Sequence, residues 1–152
     1  MKHFKFKVLK LACEGGLNAK TTCEVTVIEQ NPKKLNKISV GYLDGSLRIF
    51  DLNSKNVDAS SLTLTSELTF NGHKTSITSL AFDKEGVRLV SGSKDTDLVL
   101  WDLVGECGLF RLKGHKAPIS KALFMSRTNV LISWLVELDI SLNKIICYFI
   151  SR

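Results

Sequence analysis

Ser91, His73 and Asp95 are the right residue types for a nucleophile, a general base and an orienting carboxylate. Acyl transfer would place the serine on a strained, exposed turn of the G-x-S-x-G kind, with backbone donors for the oxyanion. Here the serine lies in Arg88-Leu89-Val90-Ser91-Gly92, a short strand-like run with neither feature. The sequence therefore assigns no catalytic residue, and the chain is expected not to be an enzyme.

Other chemistries fare no better. Gly41, Gly45, Gly72, Gly86, Gly92 and Gly114 fall at turns, and no G-x-x-x-x-G-K-[ST] run exists to cradle a phosphate. The four cysteines, Cys13, Cys23, Cys107 and Cys147, form no C-x-x-C pair and have no adjacent histidine. That argues against a zinc site and a disulfide framework, and for reduced thiols. No cofactor is expected.

The elements that must position Ser91 and His73 are short strands. Gly72-His73 recurs as Gly114-His115, 42 positions later, with Trp101-Asp102 between them. Within residues 71–113, four strands are predicted: Ile77 to Phe82, Arg88 to Gly92, Leu98 to Trp101 and Gly108 to Leu112. Polar turns separate them at Asp83-Lys84-Glu85-Gly86 and Lys94-Asp95-Thr96. Residues 37–70 hold a degraded copy, because Gly41 to Leu52 aligns with Gly92 to Leu103. A Ser-, Thr- and Asn-rich insertion, 53–66, lengthens that copy. Residues 114–133 begin a third copy, in which Ile119 to Phe124 and Val130 to Ser133 match the first two strands. Beyond it, the positions of Asp95 and Trp101 fall on Glu137 and Asn143, so the third strand of this copy is expected to be lost and 134–152 to be a non-repeat tail.

A period in the low forties with Gly-His and Trp-Asp marks resembles the WD-repeat family. The resemblance implies an all-β fold, a partial WD-repeat β-propeller of two to three four-stranded blades that does not close. It also implies a structural hydrogen-bond chain in which Trp101 donates to Ser91, Ser91 meets one nitrogen of His73, and Asp95 fixes the other. His115 and Ser133 would be the surviving half of the next set. In the earlier copy Asp44 is kept, Val40 replaces the serine, Phe50 replaces the tryptophan and no histidine precedes them, so that blade is expected to rely on apolar packing.

Three runs narrow the resemblance: Thr69 to Lys74, Ser93 to Asp97 and Leu109 to Lys116 are similar to WD-repeat proteins of the U3 small nucleolar ribonucleoprotein and the small-subunit processome. This implies a nuclear and nucleolar scaffold for pre-ribosomal RNA processing. Its partners would be proteins of a multi-subunit ribonucleoprotein assembly, with RNA as a further contact, and with no small-molecule substrate and no membrane. Two other adaptor classes stay open. A substrate receptor of a ubiquitin ligase commonly shows Trp-Asp-x-Arg, but Val104 stands where the arginine is wanted. A signalling or trafficking scaffold would differ in localisation.

Hydrophobic residues make up 44% of the 152 and charged residues 24%, which are globular values. The net charge of +6 is uneven, with eight lysines against three glutamates in residues 1–40 and thirteen basic against twelve acidic side chains thereafter. The 1–36 segment is basic with strand-like alternation near its start, and Lys7 and Lys10 interrupt any signal-peptide pattern there. Lys33, Lys34, Lys37, Lys74, Lys113 and Lys116 are the candidates for partner or RNA contact. The alternative is a set of ordinary solubilising lysines. The apolar run Ile145 to Ile150 is far short of the roughly 20 residues a spanning helix needs. Two and a half units leave a sheet edge open, so the chain is expected to be a fragment, a truncated product or a mis-predicted gene model, and to fold poorly alone. Assembly with blades from another chain is the alternative.

Overall fold

Alternating apolar runs separated by Gly, Asp and Ser turns dictate strands, and strands are what form. A computed structural model describes residues 10–11, 24–52, 57–58, 63–64, 66–125, 130–135 and 145–149. In chain order the strands are β1 (Lys10–Leu11), β2 (Val25–Gln30), β3 (Lys37–Tyr42), β4 (Ser46–Asp51), β5 (Val57–Asp58), β6 (Thr63–Leu64), β7 (Leu68–Asn71) and β8 (Ile77–Phe82). They continue with β9 (Arg88–Ser93), β10 (Leu98–Asp102), β11 (Cys107–Leu112), β12 (Ile119–Phe124), β13 (Val130–Leu135) and β14 (Ile145–Phe149).

Three antiparallel sheets, β2-β3-β4-β7, β8-β9-β10-β11 and β12-β13-β14, are successive blades of an unclosed propeller. The insertion contributes β5 and β6, which with β1 make a small separate sheet of two-residue strands.

The third blade differs from the sequence expectation. Ile145–Phe149 supplies a third strand, antiparallel to β13 from Val130↔Phe149 to Trp134↔Ile145. The repeat spacing is lost there, but register follows backbone pairing and apolar patterning, and neither needs the Trp-Asp mark. The strand-like alternation near the start meets the described residues only at β1; residues 1–9 lie outside them.

Apolar side chains fill the spaces between blades. Leu47, Ile49 and Phe70 of the first blade meet Ile77, Leu80, Leu89, Val99 and Trp101 of the second. Val90, Leu98 and Leu100 of the second meet Ile119, Ala122 and Leu131 of the third. Strand β10 is buried along Leu98 to Trp101 because both of its faces are covered, whereas the outer strand β11 is exposed along most of its length. Asn31 locks the first two blades together: its Oδ1 accepts the N–H of Lys33 and Lys34, and its Nδ2 donates to Gly86 O at 2.8 Å.

The turn between second and third strands shows how blades one and two differ. Gly45 takes φ +87 after Asp44, while the matching position after Asp95 is Thr96, at φ 70. A β-branched residue in the left-handed region is strained by roughly 1–2 kcal/mol, a cost that glycine escapes. Thr96→Gly should therefore raise stability by about 1 kcal/mol, after the entropy glycine loses on folding is deducted. Urea unfolding of the two chains checks this, and a destabilised variant would contradict it.

Candidate functional site

The second blade gathers Ser91, His73, Asp95 and Trp101 at its junction with the first. Ser91 sits in β9 with its side chain toward the first blade, Trp101 reaches it from β10, His73 from the β7–β8 connection, and Asp95 from the β9–β10 turn. Trp101 Nε1 donates to Ser91 Oγ at 2.8 Å, and Ser91 Oγ lies 2.7 Å from His73 Nε2. His73 Nδ1 lies 3.2 Å from both carboxylate oxygens of Asp95. The carboxylate only accepts, so Nδ1 carries the proton and the bare Nε2 accepts from the serine hydroxyl.

The distances resemble those of a hydrolytic triad, and burial decides what they mean. Ser91 is 0% exposed and the His73 side chain is 0% exposed. The serine oxygen is already engaged by an indole N–H, and Phe70 stacks against that indole at 5.0 Å between ring centroids. No substrate carbonyl can reach Oγ. The chemistry left to these groups is to tie a strand, a turn and a loop together through mutually satisfied polar atoms. Gly72 belongs to the same arrangement, since a Cβ there would lie 2.5 Å from the Trp101 ring. The Gly of Gly-His and the Trp of Trp-Asp are thus two halves of one contact.

Burial lowers the His73 pKa from its ordinary 6.5, and the neighbouring Asp95 offsets only part of this. Burial alone would raise Asp95, but the N–H groups of Lys74 and Asp97, with His73, hold it below its ordinary 3.8. At neutral pH the contact is therefore a hydrogen bond from a neutral imidazole to a carboxylate. Asp102, the Asp of Trp-Asp, plays a different part: its Oδ1 accepts the N–H of Val104 and Gly105 at 2.9 and 3.1 Å, which closes the β10–β11 turn.

The other named residues fall in three places. His115 Nε2 lies 2.6 Å from Ser133 Oγ, both buried, in the third blade. Glu137 and Asn143 lie outside the described residues. In the first blade Val40, Tyr42 and Phe50, at 0–1% exposure, form an apolar cluster where the second blade has Ser91, Ser93 and Trp101.

The six lysines do not share a surface. Lys74 lies in the β7–β8 connection and Lys113 and Lys116 in the β11–β12 connection, at the end of the blades where Asp95 turns. Lys33 and Lys34 follow β2 and Lys37 begins β3, at the opposite end, where Asn31 meets Gly86. Lys37 pairs with Glu67 at 2.6 Å and Lys33 with Glu85 at 3.9 Å. Exposed Lys94 joins the first group, a residue sequence spacing did not single out. Three carboxylates on that end are engaged locally, since Asp44 holds Ser46, Asp95 holds His73, and Asp97 pairs with Arg111 at 2.8 Å, while Glu24, beside the β3–β4 turn, is exposed.

The open stack of blades, tied by the His-Ser-Asp-Trp set, defines a β-propeller segment. Residues 64–102 match the family described as WD domain, G-beta repeat. The chain is similar to U3 small nucleolar RNA-associated protein 12 of Saccharomyces cerevisiae, 46% identical over 70 residues, which is 46% of this chain and 6% of that protein. It is also similar to the U5 small nuclear ribonucleoprotein 40 kDa protein of Dictyostelium discoideum, 39% identical over 59 residues, 38% of this chain and 17% of that protein. The chain thus spans a small part of the length of these relatives. Among solved structures, the β-propeller domain of Myceliophteria thermophila Cps50 (Swd1) superposes with a TM-score of 0.65 at 22% identity, covering 87% of this chain and 40% of that one. That likeness is one of fold.

Two outcomes follow from the buried set. Ser91→Ala leaves the Trp101 N–H and His73 Nε2 without their partner, and should lower unfolding free energy by about 1–3 kcal/mol. A histidine held neutral by the fold takes up a proton more readily when unfolded, so stability present above pH about 6.5 is lost as pH falls below that value. Asp95 adds a second loss at lower pH, through and below its ordinary range. Urea unfolding from pH 7 to 5 should show a decline that His73→Gln flattens; parallel profiles would contradict a buried neutral imidazole.

Proposed function

We propose that this chain is a WD-repeat scaffold of small-subunit ribosome assembly, acting in pre-ribosomal RNA processing with the U3 small nucleolar ribonucleoprotein in the nucleolus. The observation that carries this reading is the 46% identity over 70 residues to a yeast protein named for its association with U3 small nucleolar RNA. The finer likeness is to the WD repeat-containing protein 3 family, on the runs Thr69 to Lys74, Ser93 to Asp97 and Leu109 to Lys116. A second ribonucleoprotein relative, of the U5 particle, supports the broader class.

The mechanism is presentation. Rigid blades hold loops in fixed positions, and the polar groups that hold them are spent internally. In this reading the end of the blades bearing Lys74, Lys113 and Lys116 faces the ribonucleoprotein, because Lys74 and Lys116 are exposed there while Asp95 and Asp97 are engaged within the fold. Lys33, Lys34 and Lys37 form a separate contact at the other end. Protein partners meet the loops, and RNA phosphates meet the ammonium groups. No cofactor or small-molecule substrate enters this mechanism, and no membrane.

Immunoprecipitation of the tagged full chain from nuclear extract, scoring U3 small nucleolar RNA against other small RNAs, tests the assignment. Strong U3 enrichment is expected. Efficient recovery of the protein without that enrichment would refute the assignment. Lys74→Glu with Lys116→Glu should cut RNA recovery by about tenfold at low salt and less at high salt, since phosphate contacts are screened and act through counterion release. Recovery unaffected by the double substitution would remove RNA from that end of the blades.

A further inference from the structure

The joint between blades is built the same way twice. At the first, Thr26 Oγ1 lies 3.0 Å from Gly41 O of its own blade and 2.6 Å from Ile77 O of the next. At the second, Thr78 Oγ1 lies 3.1 Å from Gly92 O and 2.5 Å from Ile119 O. Both joints require glycine on the blade's second strand. A Cβ on Gly41 would lie 2.8 Å from Ile77 Cγ2, and one on Gly92 would lie 2.7 Å from Ile119 Cγ2. The received side chains are fully buried: Ile77 and Leu80 at 0% and 3%, Ile119 and Ala122 at 1% and 0%. In the second joint Ser79 Oγ also accepts the Ala122 N–H at 3.0 Å.

Register carries both halves of this pattern to the outer faces of the first and third blades. Ser79 pairs with Gly92, and Lys121 pairs with Trp134, after the same irregularity in the first strand. Trp134 therefore stands where Gly41 and Gly92 stand, on the face of the third blade away from the second. Lys121, exposed, stands where Ser79 received an N–H. At the other end Val27 pairs with Gly41, so Val25 and Ile28 stand where Ile77 and Leu80 stand. These two are 40% and 54% exposed. The outer face of the first blade thus keeps the apolar residues that a neighbouring blade receives, while that of the third has lost the gap that would receive them.

We propose that Trp134 is a specificity-determining residue that closes the outward face of the third blade to the first strand of another blade, so that copies of this chain do not join head to tail through their own β2 strands. Without such a block, a face that fits the opposite end of the same molecule would build rings or filaments. At the matching Gly92 even a Cβ would lie 2.7 Å from Ile119 Cγ2, so an indole at this position overpacks such a joint. The ammonium of Lys121 would also be buried there without an acceptor built for it.

Sedimentation of the full chain over a range of concentrations tests this. The wild-type chain should remain at its monomer mass, and Trp134→Gly should self-associate at least about tenfold more tightly. Adding Ile28→Asp to Trp134→Gly should reverse that gain, because it places a charge in the received strand. The reciprocal Gly92→Trp tests the same steric rule in the existing joint, whether or not Trp134→Gly folds: amide exchange at Ala122 should rise by at least about tenfold, with that of Leu80 unchanged. The proposal fails if folded Trp134→Gly sediments like the wild-type chain, if the wild-type chain self-associates and Ile28→Asp abolishes it, or if Gly92→Trp leaves Ala122 exchange unaltered.

Discussion

The hydroxyl of Ser91 is the point on which the second blade turns. One oxygen atom accepts an indole proton and donates to an imidazole, and through these it fixes β9, β10 and the β7–β8 connection relative to one another. Burial makes the arrangement obligatory. In water each of these groups would exchange partners at little cost, but at 0% exposure an unmatched donor or acceptor forfeits its full hydration. The neutral charge of His73 follows from the same burial, as does the need for Asp95 at its far nitrogen. What looks like catalytic machinery by residue type is a structural tie because no substrate can reach it.

The first blade meets the same geometric demand with apolar groups. Val40 and Phe50 occupy the places of Ser91 and Trp101, packed with Tyr42, and no polar atom among Val40 and Phe50 asks for a partner. The two solutions differ in what they hold. Apolar packing fills a volume without selecting an orientation, whereas the polar set in the second blade also fixes the turn that carries Lys74 and the one that carries Lys94. The second kind of tie holds loops in fixed positions, and the most regular repeat is the one whose loops are held this way.

The surface is divided by the strands it caps. Connections alternate between the two ends of the blades, so Lys74 and Lys116, from different connections, share an end that Lys33, Lys34 and Lys37 do not. Lys37 and Lys33 are drawn into pairs with Glu67 and Glu85, while Lys74, Lys94 and Lys116 are exposed on the end where Asp95 and Asp97 are engaged with His73 and Arg111.

Local pattern in the sequence determined the strands of the second blade, its turns and the membership of its buried set, because Gly-His and Trp-Asp mark positions where backbone and side chain are jointly constrained. It determined too that Val40 and Phe50 would make the first blade apolar. Tertiary structure decided the rest. The strand Ile145–Phe149 pairs in the third blade although its repeat spacing is gone, since a ladder needs backbone groups and an apolar run, not a signature. The threonine hydroxyls of Thr26 and Thr78 reach carbonyls 51 and 41 residues away, a relation that no spacing within one repeat encodes. Asn31, buried at 2% and bonded to Gly86, reads in sequence as an ordinary turn residue. These joints exist only once blades are stacked, because each consists of one blade's side chain and another blade's backbone.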